Sequence, residues 1–184
     1  MNDREIADRF NRSAGSRYHT VLVGGAPEPL YLPAGPGGPA EIRYTRDYAQ
    51  SALHELAHWC IAGARRRTQI DYGYWYQPPP RDLAARDRFF AVETRVQGLE
   101  LLFARMARVR FHVSVDDPGS DPGDFARRVH AEAQDWLRRG FPARTRAVLE
   151  ALGDDWERRL AVAHSGRGSS HAYRNDPLRA VADG

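Results

Sequence analysis

Two histidines four residues apart are the side chains in this chain best suited to chemistry. They belong to the pentapeptide His54-Glu55-Leu56-Ala57-His58. On a helix, residues i and i+4 lie on one face, so two imidazoles at this spacing can bind one divalent metal ion. The H-E-x-x-H pattern is typical of metal-activated water, and two histidines with a carboxylate are also typical of metal-bound oxygen chemistry. The pattern therefore predicts a metal site and leaves the kind of chemistry open.

A third protein ligand is expected, because catalytic metal sites usually have three and keep one position open. Glu93, Gln97 and Glu100 lie at i, i+4 and i+7 of the next predicted long helix, so they share one face. Apolar residues lie on or beside that face, and a carboxylate among them needs a partner, which a metal would supply. We favour Glu93 as the third ligand, with Glu100 second. His112 and His130 are alternatives that fit better as ordinary histidines.

The elements that must position these residues follow from apolar spacing. Ala49, Leu53, Ala57 and Ile61 recur at helical spacing, so the metal-binding helix packs against a core. Helices are predicted over residues 3–13, 47–64, 82–107 and 124–138, with one or two more over 142–163 around Gly153. Short strands are predicted over 21–23, 30–32 and 41–45. Residues 71–76 are expected to be extended, and Thr45 or Asp47 is expected to cap the metal-binding helix. The predicted class is α+β with helices dominant.

Bulk properties limit the function classes. The chain has 184 residues, a formal net charge of +3 and one cysteine. We expect a single domain over residues 1–164, followed by a mobile polar tail over 165–184. No nucleic-acid-binding motif, bilayer-spanning apolar run or secretory signal pattern is seen, so we expect a cytoplasmic protein that binds neither nucleic acid nor membrane. The single Cys60 excludes an internal disulfide.

Several ordered motifs resemble bacterial elongation factor P hydroxylases. They are His54–Gly63, Asp71–Tyr76, Val92-Glu93 with Gln97, Glu28–Pro33 and Phe125–Ala131. The resemblance covers roughly residues 5–152 and departs from the family in the proline-rich stretches 33–39 and 77–80. It implies a metal-dependent monooxygenase that hydroxylates the β-lysylated lysine of elongation factor P, the last step in that factor's modification. It also implies a zincin-like fold around the metal-binding helix, without a jelly-roll barrel.

The resemblance implies His54, His58 and Glu93 as the metal ligands. Hydroxylation of an aliphatic C–H bond requires redox-active Fe(II) with dioxygen as co-substrate, whereas the same ligands suit zinc in a metallopeptidase with Glu55 as general base. Glu55 is the expected catalytic carboxylate, and in a hydroxylase it would orient a metal-bound water, support the ligands or pair with the cationic substrate. A zinc metallopeptidase is the alternative enzyme, and a binding module with structural histidines is the non-enzymatic hypothesis.

The implied substrate is a long, doubly cationic modified lysine. Aromatic walls and acids would suit it, since a cation over an aromatic ring gains about 0.5–2 kcal/mol. We expect such contacts from Tyr72, Tyr74, Trp75 and the acid Glu100. At least two of the aromatic side chains in segment 71–76 are equally expected to be core residues. The arginines 65–67 either steer docking of an acidic partner or form a solvated run at the helix end.

Overall fold

A computed structural model describes residues 1–45, 48–73, 83–114 and 121–164. Within these ranges the α-helices are α1 (Asp3–Phe10), α2 (Ala49–Ile61), α3 (Leu83–Ala107), α4 (Pro122–Arg139), α5 (Ala143–Leu152) and α6 (Trp156–His164). The strands are β1 (Thr20–Ala26), β2 (Leu30–Leu32) and β3 (Ala40–Thr45). A π-helical turn, Asn11–Gly15, follows α1, and 3₁₀ turns lie at Arg66–Thr68 and Ile70–Gly73. The predicted helix-dominated α+β class is confirmed.

The three described strands form one small sheet in the order β1-β3-β2, with no barrel. β1 pairs with β3 in parallel, and β2 pairs with β3 antiparallel. Side chains alternate along β3, where Ala40, Ile42 and Tyr44 are buried. This period of two is that of a strand with one face on the core. The buried face packs against α2, which keeps this helix between the sheet and α3.

One hydrophobic core extends from Ile6 in α1 to Leu160 in α6. It includes the buried faces of the sheet and of helices α2, α3 and α5. None of the described helices is both long enough and apolar enough to cross a lipid bilayer. The tail that we expect over residues 165–184 lies outside the described residues.

The beginning of α2 does not have the Thr45 cap that was one of the two predicted from the sequence. The N-cap residue is Tyr48, which makes no side-chain capping hydrogen bond. Thr45 does not cap the helix. Its backbone N–H instead donates to Ser51 Oγ over 3.2 Å, so a helix side chain holds the end of β3. The other expected cap, Asp47, lies outside the described residues.

Two arginine side chains hold the carboxyl end of α2. Arg144 Nη2 donates to the backbone oxygens of Cys60 (3.2 Å) and Ala62 (2.6 Å), and its guanidinium lies 5.1 Å from the ring centroid of Trp59. Arg67 Nη1 also donates to the oxygen of Ala62. The last carbonyls of a helix have no partner within the helix, so these bonds satisfy them. The basic run therefore supports the helix end mainly through Arg67.

The segment 70–73 is a turn, so the prediction of an extended chain was wrong there. Asp71 and Tyr72 have φ of 48° and 57°, the left-handed region that non-glycine residues seldom adopt. Asp71 Oδ1 accepts a hydrogen bond from Tyr31 N–H over 2.8 Å, and the rings of Tyr31 and Tyr72 stack with centroids 4.2 Å apart. These contacts compensate for the strained turn and fix it to β2. Residues 74–76 lie outside the described residues.

Helices α3 and α4 approach each other closely at Gly98. A methyl group built on Gly98 would lie 2.9 Å from Glu132 Cγ and 3.1 Å from the backbone nitrogen of Ala133. Those distances are shorter than normal carbon contacts, and backbone atoms cannot move away as a flexible side chain would. Gly98 therefore allows α4 to pack against the part of α3 that carries Gln97 and Glu100.

We predict that Gly98→Ala lowers the free energy of unfolding by about 1–3 kcal/mol, because the added methyl group forces α3 and α4 apart. Chemical denaturation followed by circular dichroism measures this change. Gly63→Ala is the matched control, since a methyl group there meets no atom within 4 Å. Equal stability of both variants would contradict the close packing at Gly98.

Candidate metal centre

The histidines of α2 bring two ring nitrogens together. His54 Nε2 and His58 Nε2 lie 3.2 Å apart, one helical turn from each other. Two nitrogens bound about 2.0–2.1 Å from one tetrahedral ion are separated by about 3.3–3.4 Å, so the rings already have nearly the required spacing. Both side chains are partly exposed, while Leu53, Leu56 and Ala57 around them are buried. Burial of the apolar face of α2 thus directs the imidazoles to one side.

The side chain of Glu93 extends from α3 toward the Nε2 atoms of the two histidines. Its Oε1 lies 3.4 Å from His58 Nε2, and its Oε2 lies 3.9 Å from His54 Nε2. One ligand atom from each of these three residues can be chosen so that all lie within 4.8 Å of one another. Among the described residues this is the one group of histidine, cysteine and acidic side chains with metal-binding geometry. Two imidazoles and one carboxylate are a donor set that both zinc and iron accept, so the residues fit a divalent metal.

Glu100 lies on the other side of the His54 ring. Its Oε2 accepts a hydrogen bond from His54 Nδ1–H over 2.8 Å, and the side chain is 1% exposed. Histidines that bind metals usually donate their second N–H to such a carboxylate, which fixes the tautomer and the orientation of the ring. A proton held on Nδ1 leaves Nε2 to face Glu93 and His58. The burial of Glu100 argues against the substrate contact that we predicted for it.

Charges and hydrogen bonds among these side chains raise the pKa of His54 and lower the pKa of Glu93. Burial by itself lowers the pKa of His54, but the hydrogen bond to Glu100 and the charges of Glu100 and Glu93 outweigh it and raise that pKa to about 10. Burial raises the pKa of Glu93, yet the hydrogen bond and charge of His58 outweigh it and lower that pKa to about 2. Without metal, the centre therefore holds a protonated His54 beside an ionised Glu93 at neutral pH.

Gln97 fixes the candidate ligand Glu93 from one turn further along α3. Its Nε2 donates to Glu93 Oε2 (3.3 Å) and to the backbone oxygen of Ser114 (2.8 Å). Its Oε1 accepts the backbone N–H of Ser114 over 3.1 Å. The side chain is 2% exposed, and all of its polar atoms are used. The sequence had placed Gln97 on the ligand face, but only the structure shows its partner Ser114.

Glu55 lies beside the centre and is not one of the converging ligands. Burial raises its pKa, the nearby histidines oppose that rise, and the carboxylates Glu93 and Glu100 add to it. The charge of Glu55 also raises the pKa of the Tyr72 phenol, which is raised first by burial. Glu55 is therefore a carboxyl group close to the metal site whose ionised form has little stabilisation.

Of the predicted substrate walls, Tyr72 lies within the described residues. Tyr72 is 5% exposed and stacks on Tyr31, so its ring belongs to the core. Tyr74 and Trp75 lie outside the described residues. The two alternative ligands, His112 and His130, are both exposed, and neither belongs to the group of possible metal ligands.

Comparisons with known proteins identify the family of the chain. A family model described as elongation factor P hydroxylase matches residues 9–165. A protein of Haemophilus influenzae named elongation factor P lysine hydroxylase is 38% identical over 152 residues, which is 80% of this chain and 85% of that protein. The match includes the whole of α2 and α3, where His54, His58 and Glu93 converge. The chain therefore belongs to the elongation factor P hydroxylase family.

Proposed function

We propose that this protein is an iron-dependent monooxygenase that hydroxylates the β-lysylated lysine side chain of elongation factor P, as the final step of its modification. The name of the Haemophilus relative supports the class of reaction and the substrate protein. The observation that carries the proposal is the convergence of His54, His58 and Glu93, with Glu100 buried behind. The ligand side chains are 26%, 18% and 13% exposed and Glu100 is 1% exposed, so the centre opens on the ligand side. The proposed location is the cytoplasm, where translation factors are modified.

Iron is favoured over zinc by the reaction. Two histidines and a glutamate form a ligand set of both non-haem iron oxygenases and zinc peptidases, so the donors alone do not choose. Oxidation of an aliphatic C–H bond needs a redox-active metal, and Fe(II) with dioxygen as co-substrate would supply that chemistry when bound. Zinc peptidase activity with Glu55 as general base remains the alternative that the H-E-x-x-H pattern favours.

The residues of the chain divide the remaining tasks. His54, His58 and Glu93 would hold the ion on one side and leave the other side to substrate and oxygen. Glu100 holds the proton on His54 Nδ1 and so keeps Nε2 available. Gln97 holds the Glu93 carboxylate against rotation. This assigns Glu100 to positioning of a ligand in place of the predicted substrate contact.

Glu55 is proposed as the catalytic carboxylate that faces the substrate amine. A cationic group that enters the site would stabilise the ionised form, which burial now disfavours. The carboxylate would then hold a proton or a charged amine near the reacting carbon. Tyr74 and Trp75 remain proposed walls of the substrate pocket, through cation–π contacts with the substrate amines.

We predict that the purified protein, loaded with Fe(II) under air and supplied with a reductant, adds one oxygen atom to β-lysylated elongation factor P. Glu93→Gln should lose metal and activity together, because a neutral amide is a much weaker metal ligand than a carboxylate. Intact-mass spectrometry of the factor and metal analysis of the enzyme measure both. Cleavage of the factor by the zinc form, with no gain of oxygen in the iron form, would support the peptidase alternative and overturn the proposal.

We predict that Glu55→Gln keeps its full metal content but lowers kcat by about 100-fold, the usual contribution of a positioned proton-transfer group. The amide is nearly isosteric with the carboxylate, so the variant removes the charge and keeps the shape of the side chain. Single-turnover hydroxylation assays and metal analysis give the two readouts. Loss of metal in this variant would instead make Glu55 a ligand.

We predict that divalent metal binding at pH 7 releases about one proton, because His54 must lose a proton to become a ligand and its pKa without metal is about 10. Affinity for Zn²⁺, used as a redox-inert probe, should therefore rise about tenfold per pH unit between about pH 6 and 8. Isothermal titration calorimetry in buffers of different ionisation enthalpy counts the protons. Metal binding to the Glu100→Gln variant should release fewer protons, since the neutral amide no longer raises the pKa of His54. An unchanged number of released protons would contradict the role given to Glu100.

A further inference from the structure

The side chain of Tyr72 combines a buried ring with a hydroxyl that no described residue satisfies. The residue is 5% exposed, and its ring stacks on that of Tyr31 with the planes 15° from parallel. The hydroxyl oxygen is buried, and it makes no hydrogen bond to any described residue. Such a hydroxyl costs free energy, because it has lost water and gained no partner. A phenylalanine would fill the same space without that cost, so packing alone does not account for the hydroxyl.

The neighbouring phenol of Tyr31 has the hydrogen bond that the phenol of Tyr72 lacks. The Tyr31 hydroxyl donates to the backbone oxygen of Arg67 over 3.0 Å. Arg67 in turn donates through its side chain to the oxygen of Ala62 at the end of α2. The hydroxyl of Tyr31 therefore helps to hold the fold together, whereas the hydroxyl of Tyr72 has no such task among the described residues.

The backbone at Tyr72 is held in an unfavourable conformation. Asp71, Tyr72 and Gly73 have φ of 48°, 57° and 66°, so three consecutive residues lie in the left-handed region. A tyrosine is strained there, because its Cβ crowds the backbone. Arg66 Nη1 donates to the oxygen of Tyr72 over 3.1 Å, and Asp71 Oδ1 accepts the N–H of Tyr31, so the surroundings maintain the turn. Strain that is maintained in this way is typical of residues with a function.

Glu55 is the charged group that acts most strongly on the Tyr72 phenol. Burial raises the pKa of Tyr72 well above its usual value, and the charge of Glu55 is the next largest cause of that rise. The contacts at the end of α2 agree with this placement. Ala62, which Arg67 joins to the stacked phenols, follows Glu55 by seven residues, or two helical turns. The phenols are therefore connected to the face of α2 that carries Glu55.

The Glu55 carboxylate also lacks a hydrogen bond to any described residue. Burial and the charges of the centre act on it, but no hydrogen bond does. By contrast, Glu93 accepts a hydrogen bond from Gln97, and Glu100 accepts one from His54. Glu55 is thus the carboxylate of the centre whose orientation no described residue fixes. A buried donor without an acceptor and a carboxylate without a donor are complementary, and a hydroxyl bonded to a carboxylate makes a strong hydrogen bond.

We propose that the Tyr72 hydroxyl donates a hydrogen bond to the Glu55 carboxylate in the active enzyme and so positions Glu55 toward the substrate. The inference rests on the proposed function, because Glu55 is the carboxylate that the proposed reaction uses. The ring of Tyr72 is fixed by its stacking and by the turn, so the more flexible side chain of Glu55 is the one that moves to form the bond. Tyr72 is then a positioning residue, a role different from the substrate wall predicted for it.

The hydroxyl can be removed from either stacked phenol while the ring is kept, which gives a matched pair of variants. Tyr72→Phe should keep or raise the midpoint of thermal unfolding, because it removes a buried hydroxyl that lacks a partner. It should lower kcat for β-lysylated elongation factor P about 10-fold and change KM less than about twofold, as the loss of one hydrogen bond to a charged group implies. Tyr31→Phe should lower the midpoint by about 2–4 °C and keep kcat within about twofold, because it removes a bond of the fold.

A wild-type kcat in Tyr72→Phe would overturn the proposal. A midpoint lowered as far as in Tyr31→Phe would do the same, since the Tyr72 hydroxyl would then serve the fold. A double variant identifies the partner of the hydroxyl. In the Glu55→Gln background, Tyr72→Phe should lower kcat by less than about twofold further, because the two groups act together. An undiminished loss in that background would mean that the hydroxyl acts through another group, which contradicts the proposal.

A spectroscopic measurement tests the hydrogen bond independently of activity. In the zinc-loaded protein with tyrosine labelled with ¹³C at Cζ, the Tyr72 signal is the one that Tyr72→Phe removes. This signal should move upfield in Glu55→Gln, because a phenol bonded to a carboxylate has its Cζ signal downfield, and the Tyr31 signal should stay in place. An unmoved Tyr72 signal would refute the hydrogen bond. A signal that moves as expected, in a protein that fails to hydroxylate the factor, would uphold the bond and refute the proposed function instead.

Discussion

The hydrogen bond between Glu100 and His54 joins the two helices that carry the candidate metal centre. It links α3 to α2 over 2.8 Å through a carboxylate that is 1% exposed. A buried carboxylate without a cationic or hydrogen-bonding partner is costly, so the pair requires α2 and α3 to keep this register. The register in turn places Glu93, two turns earlier on α3, opposite His58 and His54. The positions of the candidate ligands therefore depend on the hydrogen bond between Glu100 and His54.

The surrounding fold keeps that register. The sheet covers one face of α2, and Arg144 and Arg67 bind the carbonyls at its end. On the other helix, Gly98 allows α4 to approach α3 directly beside Gln97. Rigid elements on both sides hold the ligands better than loops would, because a metal site tolerates only small errors in position.

Much of this was readable from the sequence, for physical reasons. Helical spacing of apolar residues predicted α2 and α3, and the i, i+4 rule placed His54 and His58 on one face of α2. The same rule put Glu93, Gln97 and Glu100 on one face of α3, but it could not separate ligand from supporting residue. That separation depends on how two helices pack, since Glu100 meets the Nδ1 edge of His54 and Glu93 meets the Nε2 edge. The expectation of an extended chain at residues 71–73 was wrong because the left-handed turn at Asp71 is stabilised by a distant partner, Tyr31 N–H, that local sequence does not reveal.

The most direct test of the account is the position of a metal ion in crystals grown with Fe(II) under anaerobic conditions and measured at the iron absorption edge. We predict one anomalous peak about 2.0–2.2 Å from His54 Nε2, His58 Nε2 and an oxygen of Glu93, with Glu100 still bonded to His54 Nδ1. A peak bound by Glu100, or by His54 Nδ1, would contradict the central claim that Glu93 is the ligand and Glu100 orients the histidine.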